Sequence, residues 1–141
     1  MAENTRLAAG FILASVKDGK RVYLLLRNAR HGAWGFAKGH AEGDETAIEC
    51  ARRETLEETG ISDLSVVQGF EHRDEYQVKH PKRGSYNKQV VYFLATTGQP
   101  MHKQSHEHSD SAWLPFDAAM KKLQFDALKK ALKKADERLG G

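Results

Sequence analysis

Apolar residues come along this chain in short dense runs separated by polar punctuation. Residues 7–15 and 21–26 are β-branched and aliphatic-rich, and Lys17-Asp18-Gly19-Lys20 divides them, which predicts a hairpin with an Asp-Gly turn. His31-Gly32 breaks the pattern, and Trp34-Gly35-Phe36-Ala37-Lys38-Gly39-His40 reads as a short extended piece. Residues 45–59 then switch to helical spacing. Ala47, Ile48, Ala51 and Thr55 make one narrow apolar stripe, Asp44 is the expected N-cap, Glu45 and Glu49 suit the positive end of the helix dipole, and Gly60 ends the run. Strands are predicted over 64–71 and 88–96, the second rich enough in Val90, Val91, Tyr92, Phe93 and Leu94 to be central and buried on both faces. Between them His80-Pro81-Lys82-Arg83-Gly84-Ser85 reads as a basic loop. Helices are predicted over 116–123 and 125–139. In the last, Phe125, Leu128, Leu132, Ala135 and Leu139 form the apolar stripe and Lys129, Lys130, Lys133 and Lys134 the other side. Interleaved strands and helices predict an α/β fold layered around a mixed sheet.

Composition narrows the class. A length of 141 residues fits a single domain spanning 1–141. No apolar run approaches a membrane span, and the polar start is unlike a secretory signal, so a soluble, cytoplasmic protein with no membrane partner is expected. One cysteine, Cys50, excludes an internal disulfide and a zinc-ligand framework and reads as a small buried thiol. The formal charge of +3 would suit a nucleic-acid binder. Its distribution argues otherwise: residues 38–61 hold seven acids against three bases, and the lysines of the last helix read as a solvated face.

The candidate chemistry lies in that acidic stretch. Glu54, Glu57 and Glu58 are neighbours on a helix surface, where like charges repel unless a cation sits among them. Arg52 and Arg53 point elsewhere on the wheel. A hard divalent cation fits an all-oxygen set, and Mg²⁺ keeps positions open for water and phosphate oxygens. A solvated acidic face is the plain alternative. Spacing decides between the two. Gly39, Glu45 and the run Arg53-Glu54-Thr55-Leu56-Glu57-Glu58-Thr59-Gly60-Ile61 resemble the Nudix box, with one departure, Thr55 in place of an aliphatic residue.

That resemblance implies a Nudix-type α/β/α sandwich around a mixed β-sheet and a pyrophosphohydrolase activity. Glu54, Glu57 and Glu58 would hold Mg²⁺, with Mn²⁺ able to substitute, and Arg53 would orient them by pairing with Glu49 or Glu57. Lys38 and His40 flank the glycine turn as phosphate donors, and Lys38 also offers a carbonyl to metal. Outside the box, the Lys-Gly-His at 38–40, the Arg-Glu-Thr at 53–55, Ser105-His106-Glu107-His108 followed by Trp113, and Gln124-Phe125 resemble the asymmetrical diadenosine tetraphosphate hydrolases. This implies Glu107 as a further metal ligand or base. It also implies a tyrosine and a lysine that hold adenine and phosphates, for which Tyr76 and Lys88 match, with Tyr86 competing.

The implied reaction is Mg²⁺-dependent hydrolysis of a dinucleoside polyphosphate, diadenosine tetraphosphate to ATP and AMP, by a monomer. An RNA 5′-pyrophosphohydrolase, or another hydrolase of diphosphate-linked nucleotides, is the alternative enzyme, and RNA is a partner only under that reading. A non-catalytic nucleotide-binding module is disfavoured because every box glutamate is present.

Overall fold

In the computed structural model the described residues are 5–80, 82, 84–99 and 108–140. They form β1 (Thr5–Lys17), β2 (Lys20–Asn28), β3 (Trp34–Gly35), β4 (Ala37–His40), α1 (Ala47–Thr59), β5 (Ser65–Val66), β6 (His72–His80), β7 (Gly84–Thr96), β8 (His108–Leu114), α2 (Phe116–Lys122) and α3 (Asp126–Arg138). The expected hairpin is present, its turn made by Asp18 and Gly19, both at positive φ.

One mixed sheet runs β3-β2-β1-β7-β5, and β4, β6 and β8 pair with β1, β7 and β2. Its centre is the parallel pair of β1 and β7, in register from Thr5 opposite Asn87 to Ala14 opposite Thr96. Both strands are apolar on alternate positions to both faces, so both faces must be covered. Ala8, Ile12 and Ala14 of β1 pack with Ala131, Leu132 and Ala135 of α3, while Ala9, Phe11 and Leu13 pack with Cys50 and Ala51 of α1. The result is the expected α/β/α sandwich.

At one end β1 leaves β2 and pairs with β4 instead, from Ala8 opposite His40 to Phe11 opposite Ala37. At the same end β7 pairs with β6. Lateral rows therefore cross the sheet there: His40, Ala8, Val90 and Asp74 make one, and Lys38, Gly10, Tyr92 and His72 the next. Cross-strand partners share a face. Gly10 is a glycine in the middle of the second row because β4 passes so close that a Cβ there would collide with the Ala37 carbonyl and the Lys38 Cβ.

Several expectations are corrected. The predicted strand over 64–71 shrinks to Ser65–Val66, and β6, which was not foreseen, follows it. His80, Gly84 and Ser85 are paired strand residues, so three of the six positions expected in a loop belong to β6 and β7. Strand β7 starts at Gly84, four residues before the predicted 88. Strand β8 was also unforeseen; its pairing with β2 supplies the hydrogen bonds that its polar sequence does not advertise. Asp44 is not the helix cap. Thr46 is, in a reciprocal capping box with Glu49, and the helix begins at Ala47. No helix among the described residues is long and apolar enough to cross a membrane.

Candidate active site

A cavity of about 800 Å³ opens over these rows and is walled by β3, β4, β6, β7, α1 and the start of α3. Alternation along β4 turns Ala37 toward α1, whereas Lys38 and His40 line the cavity with Val90 and Tyr92. Lys88 comes in from β7, opposite Tyr76 of β6. Burial, then the neighbouring Lys38 ammonium, pull the Lys88 pKa down to about 8. His40 is held below the usual histidine range, first by burial and then by Lys88, Lys38 and Arg6, so its imidazole is neutral at pH 7. These cations crowd one another on one wall of the cavity, an arrangement that suits an anionic ligand.

The acids come from α1, which Gly60 terminates in the left-handed conformation with φ 78°. Glu54 and Glu58 line the cavity. The Glu54 carboxylate rests against Gly39, and a Cβ at position 39 would collide with it, which is the physical reason for a glycine there. Glu58 is buried, at 3 % exposure, and its charge is one of the influences that raise the Tyr92 pKa, after burial, Tyr76 and Asp74. Glu57 differs: its side chain is 55 % exposed and it does not line the cavity.

Arg53 binds the group together, contrary to the helical-wheel expectation that it points away. Its Nε donates to Glu45 Oε2 at 2.6 Å and its Nη2 to Glu45 Oε1 at 3.0 Å. Nη1 serves Glu54 Oε2 at 3.0 Å and Glu57 Oε2 at 3.1 Å, and Nη2 also donates to the His40 carbonyl at 2.9 Å. A helical wheel tracks only the direction of the Cβ; a guanidinium on a long stem reaches much further. The fork, with Glu45 foremost, raises the Arg53 pKa and lowers that of Glu45. Glu49 is engaged in the cap and makes no pair with Arg53.

Among the described residues no three His, Cys, Asp or Glu side chains gather as a ready-made metal cage. Two inward carboxylates beside an open cavity still fit a hard divalent ion, because Mg²⁺ is commonly held by one or two carboxylates and completed by water and substrate phosphate. Glu107, and His106 beside it, lie outside the described residues. Tyr86 lies beyond the cavity wall, under the Arg6 guanidinium at 4.9 Å, whereas half-exposed Tyr76 lines it. Cys50 is buried as expected, its thiol donating to the Gly39 carbonyl at 3.2 Å.

Sequence reasoning missed Asp74, and it missed Phe125 and Leu128 as cavity residues. The signal for the first was present. In His72-Arg73-Asp74-Glu75-Tyr76-Gln77-Val78-Lys79 every second position, 73 to 79, is a long polar residue, as an edge strand with one solvated face would have.

The fold and this helix-borne acid cluster beside a glycine define a Nudix hydrolase, and the NUDIX domain profile matches residues 4–135: the chain belongs to the Nudix family. It is similar to asymmetrical bis(5′-nucleosyl)-tetraphosphatase of Rattus norvegicus, 35 % identical over 127 residues covering 85 % of this chain and 82 % of the relative. The enzyme of that name from Caenorhabditis elegans is 30 % identical over 138 residues, covering 95 % and 96 %. Among solved structures, the binary complex of the C. elegans Ap4A hydrolase superposes with a TM-score of 0.81 at 26 % identity, covering 96 % of this chain and 98 % of that one. Nudix hydrolases in general work with divalent metal ions.

Proposed function

We propose that this protein hydrolyses dinucleoside polyphosphates, taking diadenosine tetraphosphate and water to ATP and AMP. One observation carries the reading: Glu54 and Glu58 on one side and Lys38 and Lys88 on the other open onto a single cavity with aromatic walls. The names of the relatives supply the substrate class.

In this reading Glu54 and Glu58 hold Mg²⁺, with Glu57 and Glu107 as further candidate ligands and the Lys38 carbonyl beside them. When bound, the ion neutralises phosphate oxygens and lowers the pKa of a coordinated water. Lys38 and Lys88 carry the charge of the remaining phosphates, and neutral His40 donates or accepts one hydrogen bond. Arg53 holds the Glu54 and Glu57 carboxylates in place, so they do not spend themselves on reorganisation as charge develops. The half-exposed ring of Tyr76 offers a stacking surface for one base, and Phe125 and Leu128 close the opposite wall. Either Glu58 or Glu107 takes the proton of the attacking water.

Incubation with diadenosine tetraphosphate and Mg²⁺, followed by ion-exchange separation, tests this. Equimolar ATP and AMP, abolished by excess EDTA, is the expected result. Two ADP, or preferential release of pyrophosphate from 5′-triphosphorylated RNA, would replace the proposal.

A further inference from the structure

Asp74 lines the cavity and has no part in the phosphate chemistry above. Along β6, His72, Asp74 and Tyr76 alternate with Arg73 and Glu75 and so project to one face, opposite Tyr92, Val90 and Lys88. His72 is buried at 3 % exposure, and its Nε2 lies 3.1 Å from Asp74 Oδ2. The imidazole thus fixes the carboxylate from behind, while 29 % of the Asp74 side chain stays exposed.

A fixed carboxylate in a pocket for a polyanion is a liability unless it meets a donor on the ligand. Phosphate has none to spare. Two positions along a strand are about 6.8 Å apart, a span that a purine lying flat on Tyr76 bridges with one hydrogen bond at its edge. The reader of that edge is a carboxylate, whose two oxygens accept. Guanine offers two adjacent donors, N1–H and the 2-amino group, matching two carboxylate oxygens. Adenine offers one amino group beside the N1 lone pair, which the carboxylate repels.

We propose that Asp74 reads the Watson–Crick edge of the base stacked on Tyr76 and gives this cavity a preference for guanine over adenine. The inference deepens the reading of the cavity as a nucleotide site and rests on it. It makes guanine-containing dinucleoside polyphosphates better substrates than the diadenosine compounds. Sites built around a hydrogen-bonding edge discriminate strongly, because the wrong ligand leaves a polar group unpaired.

The test is calorimetric titration of the full chain with GTP, ITP and ATP in EDTA, for wild type and Asp74→Asn. Wild type is expected to bind GTP tightest, ITP, which lacks the 2-amino group, less well, and ATP least, GTP leading ATP by about tenfold to a hundredfold. Asparagine presents one donor and one acceptor, which pair with the N6 amino group and N1 of adenine and equally with O6 and N1–H of guanine and hypoxanthine, so the lead of GTP should be lost in the variant. Equal affinities or an ATP preference in wild type, an undiminished lead of GTP in the variant, or an equal loss for all three nucleotides would overturn the proposal; the last would assign Asp74 to the ribose. Parallel turnover of diguanosine and diadenosine tetraphosphate with Mg²⁺ separates the two claims. Ranked binding without hydrolysis would sink the hydrolase reading alone, and hydrolysis with unranked binding would sink the role of Asp74 alone.

Discussion

Helices α1 and α3 have the same length, 13 residues, and cover opposite faces of one sheet, yet they are built on different terms. Helix α3 is held by packing. It has no side-chain cap at its N-terminus, and Leu132, Ala131 and Ala135 are fully buried while its lysines face outward. Polar tethers tie its far end to β2: Tyr23 Oη donates to Asp136 Oδ1 at 2.6 Å, and the Arg21 guanidinium donates to Asp136 Oδ1 and to the Leu139 carbonyl. Helix α1 is stopped at both ends by local devices, the Thr46–Glu49 capping box and Gly60. Between them it buries groups a packing helix avoids: Glu58, and Thr55, whose hydroxyl has no hydrogen-bond partner among the described residues. Strong ends let α1 tolerate costly burial in its last two turns, and that burial includes Glu58, which is proposed to take part in the chemistry.

The sharpest way to break this contrast is Glu58→Gln, which removes the buried charge with little change of shape. We expect kcat to fall by about a thousandfold or more with thermal stability retained. Turnover close to wild type would remove Glu58 from the mechanism. On the other face, Leu132→Ala should do the reverse, costing about 2–5 kcal/mol in a denaturant titration, while the protein that remains folded keeps its kcat. A large kcat effect there would show that the two faces are coupled.

Titration should also be confined to the cavity side. With Lys88 at about 8 in the free protein, its ammonium is lost above that pH, so KM for a polyphosphate should rise by roughly tenfold for each pH unit above 8, and Lys88→Met should flatten the rise. Stability runs the other way. Between about 8 and the ordinary lysine value near 10.4 the unfolded chain holds a proton the folded chain lacks, so stability increases with pH through that window. The smallest expected effect sharpens the account of α1. Thr55→Val keeps the shape, removes the buried hydroxyl without a partner, and should stabilise by about 1 kcal/mol in thermal melts. Destabilisation would mean that the hydroxyl is satisfied in solution.

Most of the element pattern was legible because it rests on local rules. The Asp18-Gly19 turn, the apolar core of β7, the amphipathic stripe of α3 and the Gly60 stop are decided by backbone preference and by the apolar period over a few residues. The box glutamates were legible for a different reason, since their spacing alone puts them on one edge of a helix. Strand β6 escaped notice because an edge strand with one polar face and His72, Asp74 and Tyr76 on the other shows no apolar alternation. Strand β8 escaped for the same reason, its partner β2 lying some 85 residues away in the chain.

What the sequence determined by itself, then, is which residues are acidic, where the helix that carries them stops, and which strands must be buried. Only the tertiary structure decided which of those acids face inward, that Arg53 gathers Glu45 and Glu54 besides the expected Glu57, and that Tyr76 rather than Tyr86 stands at the cavity. It also set Asp74 on the same face of β6 as Tyr76. The placement of Tyr76 and Asp74 depends on strand register across β7 and β6. Register is a long-range property: a shift of one residue would leave every local preference intact and turn each of these side chains to the other face.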